Sequence, residues 1–271
     1  MHANYCRAAL VTVLLACSLA MAQETTLPLT REESEQPEEP VPEQEITTVT
    51  LTGVVLWEGA LPPAEPFEVN EDERFCAPGG ELPFDRLVVD PVTGGVRDCV
   101  VWLEQIVRND LPTTPTPPRG FRPFRMELRG CLFEPKVLVK PADSWVWIFS
   151  QDDILHQLVL KPPYGVERQG VLGFRGAWRD WRLTVPGVHH VTCTRHPWEK
   201  AAIIVARHAF YAVTNEKGEF AFENVPPGRY RVIAWHDGVR VEKQTKAGLV
   251  VGYRFSRPIQ VERNIRVPED I

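Results

Sequence analysis

The sequence predicts an all-β fold of sandwich type, on three observations. Runs rich in Val, Leu, Ile and Thr recur at strand length. They are punctuated by 25 Pro and 18 Gly, residues that break regular structure. No segment longer than about two turns carries an apolar repeat of helical period. With 271 residues, 44% of them apolar, the chain can bury enough surface for two compact units.

Residues 1–22 read as an export signal: Arg7 in a short polar start, an apolar run from Ala8 to Ala16, and Ala20-Met21-Ala22 before Gln23. The run is too short to span a bilayer, so no transmembrane helix is expected. An alternative keeps Cys17 as a lipid-attachment residue, because Leu14-Leu15-Ala16-Cys17 loosely resembles a lipobox. Residues 23–46 hold eight Glu, four Pro and one Arg with little that is apolar, the composition of a disordered tether. The chain carries a net charge of −6, and the acidic tether accounts for it, so residues 47–271 sum to about zero. No basic surface points to nucleic acid. An exported chain, periplasmic or extracellular, would keep disulfides among Cys76, Cys99, Cys131 and Cys193.

Strands are expected at Thr48 to Trp57, Leu87 to Asp90 and Cys99 to Leu103. The stretch from Arg108 to Gly120 contains Pro112, Pro115, Pro117 and Pro118 and reads as a loop. Further strands follow at Lys136 to Val139, Trp145 to Ser150, His156 to Leu160, Trp181 to Val185, His189 to Cys193 and Ala201 to Ala206. The last block offers Glu219 to Glu223, Tyr230 to Trp235 and a run from Ile259 to Val267.

The segment with most chemical content is Cys193-Thr194-Arg195-His196-Pro197-Trp198-Glu199, with His156 upstream. It offers a thiolate and an imidazole on one short loop and a second imidazole from a distant strand, a ligand set for mononuclear copper. Before it come Phe133-Glu134-Pro135, the strand from Lys136 to Val139, the turn Pro141-Ala142-Asp143-Ser144-Trp145 and the core strand Val146 to Ser150. Ile154-Leu155-His156-Gln157 follows, then Pro186-Gly187-Val188-His189-His190-Val191-Thr192-Cys193. This order, over roughly 75 residues, resembles the cupredoxins of the amicyanin and plastocyanin kind. The resemblance implies a Greek-key sandwich with copper on His156, Cys193 and His196, working with a redox partner protein. It also implies that His196 lies nearest solvent, with Pro197 and Trp198 forming an apolar rim. Where the family carries an axial Met, this chain has Glu199. A carboxylate is a harder donor that favours Cu(II), so a ligating Glu199 would lower the potential and shift the spectrum away from blue. Zn(II) is the alternative metal, since Cys, two His and a carboxylate make a tetrahedral set.

His189 and His190 alternate faces on their strand and read as core or surface residues. With Cys193 on a metal, three mature cysteines remain, and one pair plus a free thiol is the simplest outcome. Cys76 and Cys131 sit in loop-like sequence whereas Cys99 opens an apolar strand, so Cys76–Cys131 is the expected pair.

Residues 211–238 contain Thr214-Asn215-Glu216-Lys217-Gly218-Glu219-Phe220 and Val225-Pro226-Pro227-Gly228-Arg229-Tyr230. These resemble the transthyretin-like, carboxypeptidase regulatory-like sandwich and the middle domain of rhamnogalacturonan lyases. Thr52-Gly53-Val54-Val55 resembles the opening strand of the same sandwich. The expected organisation is therefore a regulatory-like part over 47–118, a cupredoxin-like domain over 119–206 and a second regulatory-like part over 207–271. Such modules are mostly scaffolds; glycan binding is an alternative role, and no catalytic constellation marks the chain as an enzyme.

Overall fold

The computed structural model describes residues 48–83, 86–106, 111–112 and 124–268. The export signal with Cys17, the acidic tether and nearly all of the Pro-rich loop lie outside the described residues. The chain is all-β, as the sequence predicts. In chain order the early elements are β1 (Val49–Val54), β2 (Phe67–Glu68), helix α1 (Glu73–Cys76), β3 (Glu81–Leu82), β4 (Val100–Gln105), β5 (Arg125–Arg129) and β6 (Leu132–Glu134). There follow β7 (Val137–Pro141), β8 (Ser144–Ser150), β9 (His156–Lys161), β10 (Arg168–Leu172), β11 (Trp178–Leu183), β12 (Gly187–Cys193) and β13 (Lys200–Ala206). The last are β14 (Tyr211–Val213), β15 (Glu219–Val225), β16 (Gly228–His236), β17 (Val241–Lys246), β18 (Leu249–Phe255) and β19 (Ile259–Val267).

One sandwich faces a five-stranded sheet, β10-β9-β12-β13-β7, onto a four-stranded sheet, β11-β8-β5-β6. Alternation decides which side chains meet: Val146 and Ile148 of β8 point inward, while the adjacent Trp145 and Trp147 do not. They join Met126, Leu128, Leu158, Leu160, Trp181, Val191 and Ile203 in one core. A second core lies between β14-β4-β16-β19 and the pair β1-β15, around Val101, Leu103, Phe222, Val225 and Tyr230. Strands before residue 106 and strands after residue 210 thus share one sheet, with β4 antiparallel to both β14 and β16.

The two cores are welded by a third cluster. Ala202 and Ile204 of β13, with Val137 of β7, pack on Val100 of β4 and Trp235 of β16. This explains why Ala201 through Ala206 is a continuous apolar run: the strand is covered on both faces, so alternation has nothing polar to write. A fourth cluster gathers Phe67, Val69, Cys76, Ala77, Leu82, Cys131 and Trp198, with Tyr253 and Phe255 of β18 against it. It lies over the loop between β12 and β13.

The strand expected at Leu87 to Asp90 is only a single bridge, Val89 to Val96. The hairpin β17–β18 was not expected; β17 has little apolar signal, its face being exposed along nearly its whole length. Asn215 to Gly218 makes the expected turn, with the Gly218 N–H donating to the Asn215 carbonyl at 2.9 Å. Gly218 has φ +76°, and Gly95 lies so close that a Cβ there would sit 1.9 Å from the Lys217 carbonyl oxygen, so only glycine fits at Gly95.

Candidate metal centre

Cys193 is the last residue of β12 and His156 the first of β9, and the register pairs Cys193 with Leu158. Because side chains alternate, residues 156, 158 and 160 face the same interior as 191 and 193, so ring and thiol project from adjacent strands on one side. The following loop is tight. The Glu199 N–H donates to the His196 carbonyl at 2.9 Å, and the Cys193 N–H reaches the Glu199 carbonyl at 3.3 Å. That turn swings His196 and Glu199 back over Cys193.

The structure brings all four expected residues together. One ligand atom from each of His156, Cys193, His196 and Glu199 lies within 4.8 Å of the others, and all four residues are buried. The two Nδ1 atoms are 3.2 Å apart. Glu199 Oε1 lies 3.0 Å from His156 Nδ1 and 3.1 Å from His196 Nδ1. Cys193 Sγ lies 3.6 Å from His196 Nδ1. Bonds of about 2.0–2.1 Å to nitrogen and 2.3 Å to sulfur at tetrahedral angles give edges of about 3.3 Å for N–N and 3.6 Å for N–S. The four separations above are close to these edges. Glu199 Oε1 is buried with no hydrogen-bond donor aligned to it, an orphaned acceptor that an ion would satisfy. The residues therefore fit a transition metal. Glu199 points into the cluster rather than to solvent.

Electrostatics agree with a site made for a cation. Burial works against charge on His156, but Asp152, Cys193 and Glu199 overcome it and push the imidazole up to about 11. Burial likewise opposes charge on His196, yet Cys193 and Glu199 raise it to about 10. Burial favours the neutral Cys193 thiol, and the two imidazoles still hold it below its ordinary value. A metal ion would compete with protons for these donors, so its binding would depend on pH.

Two further carboxylates surround the cluster, and the sequence reading missed the role of both. Asp152 Oδ2 is 3.4 Å from His156 Nε2, an ion-pair separation without hydrogen-bond alignment. Asp152 is itself fixed by the N–H groups of Gly130 and Cys131 at 2.7 and 2.8 Å. Asp72 Oδ2 is 3.0 Å from His196 Nε2. Asp152 stands four residues before His156, a local signal; Asp72 is distant in sequence and offered none.

One expectation is corrected. His196 is 0% exposed and Trp198 1%, so neither forms a rim open to solvent. Phe67, Val69 and Leu82 cover the loop, and the Trp198 Nε1–H donates to the Cys131 carbonyl at 3.1 Å. His189 and His190 lie outside the cluster: His189 Nε2 meets the Val185 carbonyl at 2.7 Å, and His190 sits 3.6 Å from Asp237. Cys76 and Cys131 form the expected disulfide, leaving Cys99 and Cys193 free. Among the described residues no helix is long and apolar enough to cross a membrane.

A family profile described as polysaccharide lyase family 4, domain II, matches residues 184–253. A search of curated proteins finds no match. Among solved structures, a methionine-to-alanine mutant of amicyanin in the Cu(I) state is similar at 15% identity, over 31% of this chain and 81% of that one, with a TM-score of 0.29. A purple cupredoxin from Nitrosopumilus maritimus is similar at 16% identity, over 31% and 99%, with a TM-score of 0.28. A copper-containing nitrite reductase from Thermus scotoductus gives 21% identity over 39% and 26%, with a TM-score of 0.28. The profile match accords with the lyase-type sandwich that the sequence motifs suggest, and its span also takes in β12 and β13.

Proposed function

We propose that this chain is an exported, non-enzymatic copper-binding protein that holds one ion on His156, Cys193, His196 and Glu199. The observation that carries the reading is the gathering of four buried donors, with His156, His196, Glu199 and Cys193 atoms 3.0 to 3.6 Å apart in four of their pairs and all within 4.8 Å. A thiolate and two imidazoles suit copper in both oxidation states, while the Glu199 carboxylate favours Cu(II). The ion would be held with a lowered potential, so binding is the primary role and electron transfer to a redox partner the secondary one. The lyase-type likeness brings no lyase activity to this chain; its sandwich serves as scaffold, with glycan binding as the rival role.

Zinc is the second reading, favoured by the inward carboxylate and by a donor set of one Cys, two His and one Glu. Titration of the mature protein with Cu(II) and with Zn(II), followed by dialysis and metal analysis, is the test. One equivalent retained, with a thiolate-to-copper absorption band that Cys193→Ser abolishes, is the expected result. Protein that keeps no ion, or an unchanged band in the variant, refutes the assignment.

A further inference from the structure

We propose that Asp72 is a positioning residue for the metal centre, sealing the outer edge of His196 and making the site a closed one that exchanges its ion slowly. This rests on the metal-binding reading above. Asp72 Oδ2 accepts the N–H of His196 Nε2 at 3.0 Å. With that nitrogen carrying the proton, Nδ1 presents its lone pair to the cluster, which is the state a ligand needs. Asp72 is 28% exposed and His196 0%, so the carboxylate stands between the ring and water.

The geometry shows that Asp72 is placed for this contact and not for the local structure around it. It is the N-cap of α1, a position where an Asp side chain ordinarily bonds the helix N–H groups, yet it makes no such bond. Its backbone carbonyl alone receives the N–H groups of Phe75 and Cys76, both at 2.9 Å. Its carboxylate is turned away to His196, and the Arg195 guanidinium holds it there at 3.4 Å while pairing also with Glu71.

The segment that delivers Asp72 is tied down at one place. Cys76, four residues on, is bonded to Cys131. The backbone of that same turn, Gly130 and Cys131, holds Asp152 beside His156, and the Cys131 carbonyl anchors Trp198. One disulfide-linked turn therefore fixes the outer partners of both imidazoles. Release of the ion past His196 requires the Glu71–Cys76 segment to lift against this staple and against Phe67 and Leu82.

The test uses the full mature chain loaded with Zn(II). Two variants suit the left-handed conformation of residue 72, φ 49°. Asp72→Gly removes the acceptor without backbone strain, and Asp72→Asn keeps an oxygen in its place. Zinc transfer to a chelator is expected to be about tenfold to a hundredfold faster in Asp72→Gly and within about threefold of wild type in Asp72→Asn. The slowly exchanging Nε2–H resonance of His196 should vanish in the first and persist in the second. A wild-type rate and resonance in loaded Asp72→Gly overturn the proposal while leaving the metal site standing. A wild-type chain that takes up no zinc or copper overturns both.

Discussion

On the proposed metal-binding reading, Glu199 is the residue that would decide what kind of ion the centre prefers. Its carboxylate adds a second negative donor to the Cys193 thiolate, and both are buried where water cannot screen them. That charge stabilises a divalent ion over a monovalent one. Replacing it by the thioether found in the cupredoxin pattern, Glu199→Met, removes the charge and restores a soft donor. The reduction potential of bound copper is expected to rise by at least about 59 mV, a tenfold change for one electron, with a stronger blue band. Voltammetry of the two proteins measures it; an equal or lower potential in the variant means that Glu199 does not govern the ion. His156, Cys193, His196 and Glu199 were all readable in sequence, three of them because one short loop must supply several donors. Asp72 was not, because its partner lies 124 residues away and nothing near it in the chain calls for an acid.

At the scale of elements, legibility followed burial. Strands with one buried face, such as β8, write an alternating pattern, and β13 writes an unbroken apolar run because the second sandwich covers its outer face. The expected strands His156 to Leu160, His189 to Cys193 and Tyr230 to Trp235 lie within observed ones, and Lys136 to Val139 overlaps β7 from Val137 on. Several elements that bury little went unseen, and so did the short β5, although Met126 and Leu128 are core residues. β10 reads Arg168-Gln169-Gly170-Val171-Leu172 and gives the core only Leu172, and β17 reads Val241-Glu242-Lys243-Gln244-Thr245-Lys246 with nearly every residue exposed; both depend mainly on pairing to a neighbour. The cover over the site escaped for the same reason. Segment 67–82 has two strands of two residues and one turn of helix, too short for any periodicity. A disulfide and a few apolar anchors hold it.

Across the whole molecule, the junction of the two sandwiches carries an acid-sensitive group. His236 ends β16 buried, and its Nδ1 has no hydrogen-bond partner. Burial first and Arg86 second push it down to about 4, with Lys136 also lowering it and Asp237 and Asp98 opposing. The unfolded chain takes up this proton near pH 6.5, the folded chain only near pH 4. Stability is therefore whole above pH 6.5 and falls as the pH drops toward 4. The loss from this group is on the order of 3 kcal/mol. Urea unfolding across that range should show a shallower decline for His236→Gln than for wild type; parallel declines would remove His236 as the cause.

The convergence of four donors on one ion is tested most directly by X-ray absorption at the metal edge of the loaded mature protein. The expected spectrum has one sulfur at about 2.3 Å and a shell of nitrogen and oxygen at about 2.0–2.1 Å, with the sulfur contribution lost in Cys193→Ser. A bound ion whose first shell holds nitrogen and oxygen but no sulfur contradicts the account.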